Sequence, residues 1–149
     1  MSAAGARALQ EARAWIGTPY RHQASRQGAG ADCLGLLRGV WRALYGTEPE
    51  AVPPYTPDWA EPTRDEVLWR AAERHLIRLA PDAPVEPGCV LLFRMRTRGV
   101  AKHLGLQGRT GVQPSFVHAY SGQGVVESPL SAPWARRVVA RFRFPEIPE

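Results

Sequence analysis

Residues 28–46 read GAGADCLGLLRGVWRALYG, a glycine-rich approach followed by an aspartate, a cysteine and an apolar stripe. Asp32 is a helix N-cap by residue type, which puts Cys33 at the first helical position. Cys33, Leu37, Val40, Trp41 and Leu44 recur at i, i+4, i+7, i+8 and i+11, one face of a helix that ends at Gly46. The spacing therefore puts the cysteine on the inward face. A cysteine there is a nucleophile, a metal ligand or a small buried filler.

The flanks give the elements around it. Ala8, Leu9, Ala12, Trp15 and Ile16 predict an amphipathic helix over 2–16, stopped by Gly17 and Thr18-Pro19. Residues 17–31 show no period and predict a surface loop. Residues 47–62, TEPEAVPPYTPDWAEP, deny the backbone many donors and predict an ordered loop or connector. Tyr55 and Trp59 make that stretch a candidate contact surface. A Thr63–Glu66 capping box then opens a predicted helix through TRDEVLWRAAERHLIRLA, residues 63–80. Beyond it the period becomes extended: CVLLFRM, KHLGLQG, SFVHAYS, GVVES and WARRVVARFRF, residues 134–144, predict strands. Helices first and an antiparallel sheet last is an α+β order.

A chain of 149 residues has the length of one domain and can bury a core without staples, so residues 1–149 are expected to form a single unit. The net charge of +5 comes almost wholly from arginines spread along the chain, with Lys102 the only lysine. No basic tract interleaved with aromatics singles out a nucleic acid, and a general positive field suits any polyanion, an anionic cell wall included. No apolar run is long enough for a membrane span or a secretory leader, so cytoplasmic synthesis without a signal peptide is expected. Two cysteines, Cys33 and Cys89, are too few for a disulfide framework or paired zinc motifs. A single Cys33–Cys89 bridge stays open.

The strands carry two histidines that bear on Cys33. A hairpin turn centred between Thr110 and Gly111 sets His103 opposite His118 and Leu104 opposite Val117, which brings the imidazoles within bonding reach. A one-residue slip would turn one of them to the other face. A thiol that attacks a carbonyl at neutral pH needs a lowered pKa, a base and something to orient that base. The helix N-terminus is expected to lower the Cys33 pKa, with His103 as base and His118 holding its ring. First-turn N–H groups, that of Cys33 included, can receive an oxyanion. One thiolate and two imidazoles are also an acceptable zinc set, though these ligands come singly and no carboxylate stands near to orient them. His22 and His75 read as surface or packing residues.

GTPYRHQ (17–23), GADCLGLLRGVW (30–41), KHLGL (102–106) and FVHAYSGQGVVES (116–128) together resemble the NlpC-type papain-like cell-wall peptidases. The resemblance spans nearly the whole chain, and EPGCVLLFR with WARRVVARFRFP looks most like the phage-tail and gene-transfer-agent branch. It implies a papain-like fold with N-terminal helices packed on a C-terminal antiparallel sheet. It implies Cys33 as nucleophile, His103 as general base and acid, and His118 as the orienting member of the triad. It also implies Tyr20 as a pocket tyrosine and Asp32 as the aspartate that meets a substrate amine. The implied reaction is hydrolysis of an amide in the stem peptide of peptidoglycan, typically D-γ-glutamyl to diaminopimelate, with no metal or organic cofactor.

The sequence leaves the pattern at two places. Leu34 stands where many members have serine, which removes a polar contact to the substrate amine, and Cys89 replaces the aspartate of a PGD turn. A wall hydrolase without leader, span or wall-binding repeat needs a carrier, and a phage-like tail or baseplate supplies one, with the virion tail tip as the expected location. The alternative is a tail-tip plug that keeps the fold and has little activity.

Overall fold

The computed structural model describes residues 2–52, 55 and 66–148. Helix α1 (Ala3–Ala14) starts where Ser2 accepts the Gly5 N–H at 3.0 Å. It buries Ala4, Ala8, Leu9 and Ala12, with Trp15 just beyond its end. Ile16, expected in the stripe, is 46% exposed because the chain leaves the helix at Trp15. The stretch expected as a loop before Cys33 contains a small hairpin, β1 (Ser25–Arg26) with β2 (Gly30–Ala31). Strands of two residues are too short to show a period.

Helix α2 (Cys33–Tyr45) has the expected ends. Asp32 Oδ1 accepts the Gly35 N–H at 2.7 Å, and Gly46 takes φ 90° at the C-cap. Its core stripe is rotated from the expected one: Leu36, Val40 and Leu44 are buried, whereas Cys33, Leu37 and Trp41 are half-buried. Glycines cause the rotation. Gly39 receives the Trp15 ring so closely that an added Cβ would lie 2.1 Å from Cζ2. α1 thus docks on a glycine face that an apolar pattern does not register.

Thr63 of the expected capping box lies outside the described residues. Helix α3 (Val67–His75) has Glu66 at its N-cap without a side-chain cap bond. The Glu66 carboxylate instead accepts the Ala101 N–H, at 3.2 and 3.3 Å. The helix ends well short of Ala80, because Leu76 turns extended and β3 (Ile77–Arg78) joins the sheet. The other strands are β4 (Val90–Arg94), β5 (Ala101–Gln107), β6 (Ser115–Tyr120), β7 (Gly124–Pro129) and β8 (Val138–Arg143). They form one antiparallel sheet in the order β3-β8-β4-β5-β6-β7. The start of the expected strand over 134–144 belongs instead to a short helix α4 (Ala132–Ala135), whose first turn contains Pro133.

Strand alternation divides the sheet's side chains between two clusters. Val90, Leu92, Leu104, Leu106, Val117 and Ala119 join α1 and α2 in the main core. Leu91, Phe93 and Phe116 form a second cluster, packed with Trp134 and Val138. N-terminal helices on an antiparallel sheet is the α+β layout expected from the chain.

The β5–β6 register departs from expectation by two residues: Val117 pairs with Leu106, not Leu104. Ser115 sets it by closing a longer loop. Its carbonyl accepts the Gly108 N–H at 2.8 Å and its Oγ accepts the Arg109 N–H at 2.8 Å, while Gly111 takes φ 86° within the turn. An offset of two preserves the face of every side chain, so His103 and His118 meet diagonally.

Candidate active site

The site forms where the β5–β6 ladder opens. The two strands pair only at Leu106–Val117 and Gln107–Phe116. Gln107 directs its backbone to the β4 side, donating to Cys89 O at 2.7 Å and accepting from Gly88 N–H at 2.8 Å. Alternation then turns the backbone groups of 102, 104 and 106 toward β6. Beyond Leu106 that partner is missing, and Cys33 takes its place. Its thiol donates to the Lys102 carbonyl at 3.7 Å, and the Leu104 N–H points at the sulfur. The N-terminus of α2 thus fills the opening, and Cys33 and His103 line one cleft.

His103 is 7% exposed and His118 1%. His103 Nε2 lies 2.8 Å from His118 Nδ1, and His118 Nε2 lies 2.9 Å from Ser128 Oγ. With His118 Nε2–H donating to Ser128, its Nδ1 accepts from His103 Nε2–H, and His103 Nδ1 is left as the basic nitrogen. Gly105 makes the approach possible: a Cβ there would stand 2.9 Å from Phe116 Cδ2 and 3.3 Å from His118 Cβ. One nitrogen of each imidazole is taken up in the bond between them, and among the described residues no three His, Cys, Asp or Glu side chains converge as ligands.

An aromatic wall encloses the pair. The Trp134 ring centre lies 5.7 Å from that of His103 and 5.3 Å from that of His118, and the Phe116 ring lies tilted with its centre 4.1 Å from that of His118. Burial, with the neighbouring His118, pulls the His103 pKa down to about 3. Burial alone pulls His118 to about 4.

The Cys33 thiol, expected to be lowered by the helix dipole, is pushed up to about 12. Burial is the main cause and the Asp32 charge adds to it, and together they outweigh the N–H groups of Leu104, Leu34 and Cys33. Both shifts favour the uncharged forms, a neutral thiol and a neutral imidazole in one cleft. A pair of this kind holds no standing ion pair, so any attack by the sulfur would have to pass the proton in the same step.

The same burial predicts acid sensitivity of the fold. Unfolded, both histidines bind protons below about pH 6.5; folded, they resist until about 3 to 4, so the unfolded state holds more protons in between. Stability is fully present above pH 6.5 and falls on acidification, by on the order of a few kcal/mol before pH 4 is reached. Melting curves at pH 7 and pH 5 test this. The Tm drop should shrink in His118→Gln, and an equal drop would remove the histidines as its cause.

Tyr20 also lines the cleft; it bridges to Ala31, and burial, then Cys33 and Asp32, raise its phenol to about 12. Asp32 is 3% exposed and bonded to Gly35, Gln23 and Tyr55. The structure therefore gathers all five residues singled out in the sequence around one cleft: Cys33, His103, Tyr20 and Asp32 in its lining, and His118 directly behind His103. Three others went unnoticed as site residues. Ser128 is the second partner of His118, two places along β7 from its paired residue Val126. Trp134 gave no usable pattern in so short a helix. Tyr55, expected at a contact surface, instead lines the cleft, while Trp59 lies outside the described residues. Both cysteines are free, so the bridge left open by the sequence is absent.

By sequence, neither a family model nor a curated protein matches the chain. By structure, the NlpC/p60 domain of the peptidoglycan hydrolase SagA matches at 20% identity and TM-score 0.63, over 94% of this chain and 98% of that one. NlpC1 from Trichomonas vaginalis matches at 20% identity and TM-score 0.64, over 94% of this chain and 43% of that one. An NlpC/p60 family protein from Bacillus cereus matches at 15% identity and TM-score 0.63, over 97% of this chain and 40% of that one. The chain thus spans nearly all of the first and about two fifths of the other two. Its fold is that of the papain-like NlpC/p60 domains.

Proposed function

We propose that this protein is a cysteine peptidase that hydrolyses an amide bond in the stem peptide of bacterial peptidoglycan. The observation that carries the reading is the Cys33 thiol at a helix N-terminus, in one cleft with a His103 whose far nitrogen is tied to His118. In this reading the sulfur attacks the amide carbonyl as His103 Nδ1 takes the thiol proton. First-turn N–H groups of α2 meet the developing oxyanion. His103, held by His118 and through it by Ser128, returns the proton to the leaving amine. A thioester to Cys33 remains, and water activated by His103 releases it. Tyr20 and Asp32 form the substrate side of the cleft. No metal or organic cofactor takes part.

The bond cut is D-γ-glutamyl to diaminopimelate, and the carrier is a phage-like tail that brings the protein to the wall at the virion tip. Both rest on the sequence resemblance. The net charge of +5 suits an anionic wall and gives no specific hold on nucleic acid. Among the described residues no helix is long and apolar enough to cross a membrane. Residues 1–149 act as one catalytic unit in this reading.

Digestion of purified walls tests it: mass spectrometry should find new stem-peptide fragments ending at D-glutamate. Walls left intact over a range of pH, by protein that still assembles into particles, would favour the inactive plug.

A further inference from the structure

Within that peptidase reading, we infer that Asp32 does not receive a substrate amine and that the cleft takes stem peptides whose amino end is acylated, as when still joined to their glycan strand.

An ionised carboxylate has about four lone-pair directions. Asp32 Oδ1 is taken by the Gly35 N–H at 2.7 Å, while Oδ2 accepts the Gln23 N–H at 2.8 Å and the Tyr55 hydroxyl. His22 Nδ1 stands a further 3.8 Å from Oδ2. Three of those directions are thus used, in capping α2, tying down the backbone at Gln23 and holding Tyr55, and the side chain is only 4% exposed. Tyr55 is held at its other end as well: its carbonyl accepts from His22 Nε2 at 2.6 Å and from the Gln23 amide, and the two rings meet edge to face at 5.0 Å. An ammonium seeking Asp32 must displace a phenol anchored at both ends.

Asp32 apart, the lining offers such an ammonium no counter-charge, and the Ser121 and tyrosine hydroxyls in it are neutral. Tyr20, Leu34, Met95, Ala119 and Tyr120 are apolar or aromatic, and Lys102 carries the same sign as the ligand. Leu34 lies beside Asp32, so the place a hydroxyl would hold is apolar too. Bringing an ammonium into such surroundings without a counter-charge is unfavourable, whereas a neutral amide needs only hydrogen bonds, which tyrosine hydroxyls provide. Tyr55 is the specificity-determining residue on this view, and it acts by occupying Asp32.

The test compares two soluble stem peptides, identical except for a free or an N-acetylated amino terminus. Wild-type protein should cut the acetylated form with a kcat/KM about tenfold higher or more, the scale of one hydrogen bond to a charged group. Tyr55→Phe removes the hydroxyl from Oδ2 and should narrow that preference about tenfold, mainly by lowering KM for the free-amine peptide. Equal or faster cleavage of the free-amine peptide by the wild type overturns the inference and leaves the peptidase reading standing. A preference unchanged in Tyr55→Phe overturns the role given to Tyr55. If both peptides and whole walls stay intact, the peptidase reading falls and takes the inference with it.

Discussion

Cys33→Ser should lose wall hydrolysis by about 10⁴-fold or more while keeping the fold, since nucleophile losses in triad enzymes reach that range. A hydroxyl replaces the thiol at a half-buried position and can still donate to the Lys102 carbonyl, so Tm should move little. The loss is large because His103 is a weak base in its aromatic enclosure, with a pKa near 3. Handing a proton to such a base is already uphill for a thiol that burial raises to about 12, and an alcohol is intrinsically far less acidic and a poorer nucleophile than a thiol. Fragment release from walls by wild type and variant, side by side with their melting curves, decides it. Wild-type rates in a folded Cys33→Ser protein would defeat the nucleophile assignment.

Gly35→Ala should disturb stability and activity together. Gly35 lies two residues after Cys33, and a Cβ there would fall 1.8 Å from the backbone oxygen of Ala24. That oxygen belongs to the chain leading into α2 and accepts the Asp32 N–H at 3.3 Å, so no flexible side chain can move aside. Overpacking against backbone costs about 1–3 kcal/mol, which for a chain of this size lowers Tm by roughly 3–10 °C. The same displacement moves the sulfur away from the Leu104 N–H, so hydrolysis should fall by more than the melting curve alone explains. Thermal denaturation and fragment release, both at pH 7, check the pair of effects. An unchanged Tm would show that the loop before α2 yields easily.

Where side chains announce themselves by periodicity, the sequence was informative. The two ends of α2, the apolar run of β4 and the placing of His103 and His118 on one face all followed from spacing and residue type. Contacts made by glycine and backbone did not. Gly39 under Trp15 rotated the buried stripe of α2, and Gly105 let two histidine strands approach off their expected register. The rise in the Cys33 pKa was illegible for another reason: it depends on how deeply the thiol is covered by strands remote in the chain. Ser128, Trp134 and Tyr55 belong to the same class, joined to the site by tertiary packing over a sequence with no local signal. The two-residue register offset did no harm to the pairing of the histidines because strand faces repeat every second residue.

The gap in the β5–β6 ladder also has a meaning in time. Sixty-nine residues separate Cys33 from the Lys102 carbonyl it bonds. A ribosome adding about 5–20 residues each second finishes α2 several seconds before that strand exists. During those seconds the nascent chain carries a cysteine with no base beside it. On the peptidase reading the chain is inert by construction until its later strands arrive, and the cell that makes it is spared a premature blade.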